Sequence, residues 1–173
     1  MLAYLFFHRA GEGVDVAAYE DGLRRFHASL GSARVSGFVG SRTYRVGDRY
    51  CDWYLVETSA ALDALNDAAV GRSTAPVHDA VAHMAADGAG KLLKLAAGSP
   101  DAGARYEIRF AKPRGMAYAD LYAGLDRWTR KAEVGLWRRM MVLGPPPEFC
   151  LLSPAEEELP AELEPETVRR DPV

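Results

Sequence analysis

The chain has 173 residues, 49% of them apolar and 26% charged, with a formal net charge of −3. That is the composition of an ordinary water-soluble globular protein, long enough for one large domain or two small ones. A pI near 5.8 gives no basic field to capture nucleic acid or an anionic membrane surface, and no apolar run approaches the roughly 18–20 residues that a bilayer span needs.

The opening run Met1–Phe7 is apolar but lacks a basic n-region and a small-residue cleavage site, so no secretory leader is expected. Cys51 and Cys150 are the only cysteines, and neither belongs to a C-x-x-C pair. This disfavours a disulfide framework or a thiolate metal site and fits a reducing cytoplasm. Each reads as a small buried hydrophobe in a strand.

Residues 2–9 form an aromatic-rich apolar run that predicts a strand, broken by Gly11 and Gly13. From Asp15 the period changes to three and four, with Val16, Tyr19, Leu23, Phe26 and Leu30 on one stripe of an amphipathic helix. Asp15 suits the N-cap and Gly31 the stop. Residues 35–46 and 49–57 predict two strands joined at Gly47-Asp48. Ser59 opens a short helix with Leu62, Leu65 and Ala69 on one side. After Gly71, Pro76 suits the first turn of another helix, which is expected to run to Asp87 and end at Gly88 and Gly90. Residues 91–96 predict the last strand of a β-α-β-β-α-β unit over 1–98, the ferredoxin-like order.

Residues 99–103 read as a linker, and a second, incomplete unit follows over 104–173. It opens with a strand at 105–111 and a helix at 116–131. Strands at 134–143 and 148–152 come next, joined across Gly144-Pro145-Pro146-Pro147. The acidic run Glu156-Glu157-Glu158 suits the start of a helix. Beyond it, prolines leave an extended, partly mobile tail with a remnant strand near 167–170. An offset of 102 positions carries Tyr4 to Tyr106, Gly13 to Gly115, Gly22 to Gly124, Leu23 to Leu125, Arg25 to Arg127 and Phe26 to Trp128. The helix stripes match as well, Val16 with Tyr118 and Tyr19 with Leu121, which predicts an internal duplication.

This order and periodicity resemble the dimeric α/β-barrel superfamily, over about residues 2–153. That superfamily contains antibiotic-biosynthesis monooxygenases, muconolactone isomerases, stress-responsive barrel proteins and heme-handling proteins. The resemblance implies an α+β fold of two tandem ferredoxin-like units that form a barrel-like pseudo-dimer from one chain. No residue matches a catalytic signature of one branch, and fold alone does not settle function.

Strand alternation supplies the candidate site. In Tyr106-Glu107-Ile108-Arg109-Phe110, the apolar residues share one face, expected to pack on helices, and Glu107 and Arg109 share the other. In the first unit the face matching Glu107 and Arg109 carries Leu5, Phe7 and Arg9. A cavity with one aromatic and one charged wall would suit a small molecule, and Arg42, Arg45, Arg138 and Arg139 on the second strands point to an anionic or enolic ligand. The plainer reading is a solvated strand face paired with Glu107, Asp52 or Glu57. The ligand-binding set is then Phe7, Arg9, Arg42, Glu107, Arg109 and Arg139, with His8, Glu107 and Arg109 as the catalytic candidates.

The other histidines carry less. His27 is expected to be exposed, and His78 and His83, five apart, stand about 140° from each other on a helix and cannot chelate one metal. Asp79, His83 and Asp87 share a stripe that reads as solvated. No metal and no cofactor is expected. Three functions follow: a barrel protein binding a small aromatic or anionic molecule, as a cofactor-independent oxygenase or isomerase; a non-catalytic assembly module; and a heme binder using His83 or His8. The expected partners are a small-molecule ligand and a second copy of the chain, since the half-empty second unit leaves sheet edges uncovered.

Overall fold

In the computed structural model, which describes residues 1–101 and 103–173, the chain divides inside one strand into two units. The first is Met1–Gly90 with Pro172–Val173, and the second is Lys91–Asp171. Ala102, in the expected linker, lies outside the described residues.

The first unit contains β1 (Leu2–Ala10), α1 (Val16–Ser32), β2 (Phe38–Val46), β3 (Arg49–Val56), α2 (Ala60–Ala69), α3 (Ala75–Ala82) and the opening of β4 (Ala85–Gly98). Its strands lie in the ferredoxin-like order β4-β1-β3-β2. β1 runs antiparallel to β3, from Leu2 opposite Val56 to His8 opposite Tyr50, and β2 is antiparallel on the far side of β3. α1 forms where the periodicity puts it. Asp15 accepts from the Ala18 N–H at 2.7 Å, satisfying one orphan amide of the first turn, and Tyr19, Leu23, Phe26 and Leu30 are buried. Gly47 takes φ +62° in the β2–β3 turn, which glycine adopts without steric cost.

Three expectations for this unit are corrected. α1 continues through Gly31 and closes on Ala33, whose N–H donates to Ser29 and Leu30 carbonyls; the backbone instead turns left-handed at Arg34. Ser59 stands at the N-cap of α2 but makes no side-chain cap bond. α3 ends at Ala82, and Asp87, Gly88 and Gly90 belong to β4, so the Asp79–His83–Asp87 helix stripe does not exist. The reason lies in β1. A Cβ at Gly88 would stand 2.8 Å from Phe6 Cζ, and one at Gly90 2.7 Å from the Tyr4 hydroxyl. Glycine here admits aromatic rings from the neighbouring strand, one of the roles of glycine within sheets.

The second unit takes the remainder of β4, then β5 (Tyr106–Phe110), α4 (Tyr118–Thr129), β6 (Gly135–Arg139), β7 (Phe149–Ser153) and β8 (Glu166–Arg169). The order β8-β5-β7-β6, with β4 beyond β6, again has the ferredoxin-like arrangement. β8 is the remnant strand expected near 167–170. Ile108, Phe110, Leu121, Leu125, Trp128, Phe149 and Leu151 form one core. The acidic run makes no helix, because Glu157 is held by Lys131 Nζ at 2.7 Å. A 3₁₀ turn at Ala161–Leu163 follows instead, burying Leu163. With Leu159 buried beside it, the tail packs on the core that a second helix would have covered. Of the expected extended tail, residues 159–163 turn and pack instead, while the strand beyond them is extended as β8.

The architecture is therefore α+β, two ferredoxin-like units with antiparallel sheets. Among the described residues, no helix is long and apolar enough to cross a membrane. Cys51 and Cys150 are buried and unlinked, and burial pushes the Cys150 thiol up to about 12.

Candidate functional site

In the first unit, β1 and β3 present Tyr4, Phe6 and His8 with Asp52 and Tyr54 to the same space as the buried stripe of α1. Between them lies a cavity of about 530 Å³. Its floor is those five strand residues, one wall is Tyr19, Leu23, Phe26 and Leu30 of α1, and Leu62, Leu65, His78 and Val81 of α2 and α3 complete it. Apolar and aromatic carbon dominates this lining, with a few polar groups converging at one end, the make-up of a small-molecule site.

The polar end is a chain of close polar contacts. Tyr19 Oη lies 2.5 Å from His8 Nδ1, and His8 Nε2 lies 3.3 Å from Asp52 Oδ1. His27 Nε2 approaches the same oxygen at 3.3 Å from another side, while its Nδ1 is 2.6 Å from Ser41 Oγ. Thr43 Oγ1 donates to Asp52 Oδ1 at 2.6 Å and the Tyr54 hydroxyl to Oδ2 at 3.0 Å. The His8 ring is stacked between Phe6 and Tyr50, which locks its plane.

Charge decides how this chain is protonated. Burial pushes the Asp52 carboxyl up, but the imidazoles of His27 and His8 outweigh it and hold the group well below the usual carboxylate range. Asp52 is an anion. An imidazole facing an anion turns its N–H toward it, so His8 carries hydrogen on Nε2 and leaves Nδ1 as acceptor. Tyr19 must then be the donor to Nδ1. Burial, and next the Asp52 charge, raise the Tyr19 phenol, which keeps that hydrogen in place. Tyr54 is pushed well above its ordinary value by the same two causes. The result is a phenol–imidazole–carboxylate relay, with His27 bracing the carboxylate from the side. Hydroxyl–imidazole–carboxylate chains of this order move protons in hydrolases. Here the relay ends at an apolar cavity.

The residues singled out in the sequence are placed as follows. His8 lines the cavity. Phe7 pairs in register with Cys51 and is not among the lining residues. Arg9 is ion-paired with Asp87, and Arg42 is exposed opposite Trp53. In the second unit, Arg109 Nε donates to Glu107 Oε1 at 2.8 Å. Ile108 and Phe110 lie in the α4 core, so alternation sends Glu107 and Arg109 to the other face. Arg139 Nη1 donates to the Gly144 carbonyl at 2.8 Å. Arg138 goes elsewhere, to Glu148 at 2.8 Å, and stacks over Tyr118. His83 is exposed, its Nδ1 2.5 Å from the Asp79 carbonyl. Among the described residues, no group of three or more His, Cys, Asp or Glu is arranged to hold a metal ion.

Three residues of this polar chain are not among the site candidates of the sequence: Asp52, Tyr19 and His27. His27, expected exposed, has a side chain only 9% exposed. One signal was available. β3 reads Tyr50-x-Asp52-x-Tyr54 on one face and Cys51-x-Trp53-x-Leu55 on the other, and a carboxylate between two tyrosines on a strand buried on both faces must be satisfied.

No protein-family model matches the chain, and no curated protein matches it in sequence. Solved structures do match. An anthrone oxidase-like protein is 12% identical and aligns over 99% of this chain and 91% of its own, at a TM-score of 0.59. A candidate monooxygenase from Lactobacillus acidophilus is 9% identical over 87% of this chain and 75% of its own, at 0.54. SnoaB, a cofactor-independent oxygenase from Streptomyces nogalater, is 17% identical over 58% of this chain and 97% of its own, at 0.46. The likeness to the first two shows the fold alone: this chain is built like these α/β-barrel proteins.

Proposed function

We propose that the first-unit cavity binds a small aromatic or enolisable molecule, and that the Tyr19–His8–Asp52 relay removes a proton from it. The observation that carries this reading is the relay itself: an imidazole whose acceptor nitrogen faces a cavity-lining phenol and whose other nitrogen faces a buried anion. A ligand hydroxyl or acidic C–H passes its proton to the Tyr19 oxygen as Tyr19 gives its own to His8 Nδ1. The imidazolium so formed is stabilised by Asp52. The resulting enolate has two fates. Return of the proton at another carbon is an isomerisation. Transfer of electrons to dioxygen is an oxygenation, in which a CH₂ group and O₂ become C=O and H₂O.

Support for the oxygenase fate comes from the fold neighbour named anthrone oxidase-like, so anthrone is the first substrate to try. Oxygen uptake and the rise of quinone absorbance measure turnover, while loss and reappearance of an exchangeable C–H signal without oxygen uptake measure isomerisation. His8→Gln is expected to lower either rate by about 10²-fold, the usual share of a positioned acid–base group. A rate that survives His8→Gln removes the relay from the mechanism.

Three further expectations stand beside this one. The 102-residue offset reflects an internal duplication, the recurrence of β-α-β-β order in each unit being its support. The protein works in the cytoplasm, as two buried cysteines outside any disulfide suggest. It is a homodimer, in line with the exposed Met141, Val142 and Leu143 on the β6–β7 connection. Light scattering is expected to give twice the 18.9 kDa chain mass at micromolar concentration; the single-chain mass refutes the dimer.

A further inference from the structure

The charge of the cavity lining restricts what can enter it. Among the described residues that line it there are two carboxylates, Asp52 and Asp63, and no Lys or Arg. Arg9, next to His8 in β1, is ion-paired with Asp87, and Arg45 with Glu20. Asp52 is 2% exposed, so water screens its charge poorly and a second anion in the same space would feel it. Asp63 is exposed, and it stands among lining residues of α2, where an entering ligand meets it. The remaining polar groups of the lining, the Tyr19, Tyr54 and Tyr4 hydroxyls, the Asn66 amide and the imidazoles of His8 and His78, are those that suit a neutral ligand with oxygen or nitrogen substituents.

We infer that the cavity selects a neutral, weakly acidic aromatic ligand and rejects the same skeleton bearing a carboxylate or other fixed negative charge. This rests on reading the cavity as the ligand site, and it goes against the anionic ligand that the strand arginines suggest in sequence. The selection matches the relay: a neutral acid becomes an anion only after its proton reaches His8, when the new imidazolium is there to hold it.

Three ligands of one skeleton test it by isothermal titration at pH 8, where an ordinary imidazole is neutral: 2-naphthol, 6-hydroxy-2-naphthoate and the methyl ester of the latter. The naphthol and the ester are expected to bind, and the carboxylate to bind at least about tenfold more weakly, as one poorly screened like-charge approach requires. The ester controls for size. A carboxylate that binds as tightly as its ester overturns the charge selection and leaves the ligand site standing. Failure of all three to bind overturns the site, and the selection with it. In Asp52→Asn the gap between ester and carboxylate is expected to narrow, and a gap that does not change removes Asp52 as its cause. Where that variant does not fold, the ester-against-carboxylate ratio of the natural chain still decides.

Discussion

Replacing Asp52 with alanine is expected to lower stability by about 3–5 kcal/mol, the loss seen when one partner of a buried ionic network is removed. The carboxylate is 2% exposed and accepts from Thr43 and Tyr54, with His8 Nε2 and His27 Nε2 each 3.3 Å away. Its removal leaves these buried donors facing carbon, and each unsatisfied group costs about 1–3 kcal/mol. Asparagine keeps the shape but turns an amide N–H toward one of the donors, so it too is expected to destabilise, by less. Urea unfolding followed by circular dichroism measures both. An Asp52→Asn variant as stable as the natural chain would mean that the network does not hold the sheet.

The same group sets an acid limb. The folded value of Asp52 lies below its ordinary 3.8, so below that point the unfolded chain binds the proton more readily than the native one. Stability from this source is complete above about pH 4–5 and is lost as the pH falls through the ordinary value and below it. In Asp52→Ala that part of the acid dependence is expected to vanish. Urea midpoints at pH 7 and pH 3.5 for both proteins make the comparison.

Truncating Trp128 to alanine is the second large effect, at about 3–5 kcal/mol. Trp128 is 3% exposed in the α4 core, and the Arg127 guanidinium lies 3.8 Å over its ring. The residue at the matching offset, Phe26, is also buried, yet it borders the 530 Å³ cavity and touches His78 edge-on. A side chain that faces open space on one side has fewer partner atoms to lose. Phe26→Ala is therefore expected to cost less than Trp128→Ala in the same denaturation experiment, and to enlarge the cavity. The reverse order would mean that the space beside Phe26 is filled in solution.

Much of the fold was legible because it rests on local periodicity. The stripe Tyr19, Leu23, Phe26 and Leu30, the alternation of Glu107 and Arg109 with Ile108 and Phe110, and the turn at Gly47 each follow from one helix or strand burying one face. The errors fall where a distant residue decides. Gly88 and Gly90 have the local character of helix stops, and nothing within ten residues shows that Phe6 and Tyr4 will cross them in β4. The tail reads as extended because its prolines exclude a helix, while the burial of Leu159 and Leu163 depends on an uncovered core elsewhere in the chain.

The candidate site divides in the same way. His8 was legible as a candidate, and alternation puts it on a face with Tyr4 and Phe6. Its partners come from α1 and β3, 11 and 44 positions away in the chain (Tyr19 and Asp52 against His8). They are brought to it by the antiparallel pairing of β1 with β3 and the packing of α1 across both. Sequence alone determined most element types, the ferredoxin-like order and which face of β1 and β5 meets helices, because these depend on backbone sterics and on apolar period. Tertiary structure decided that Asp52 is buried between two imidazoles, that His27 turns inward, and that the first unit's cavity lies on the helix side of its sheet. A carboxylate in a strand has no fixed pKa or role until its neighbours in space set its solvation and its donors.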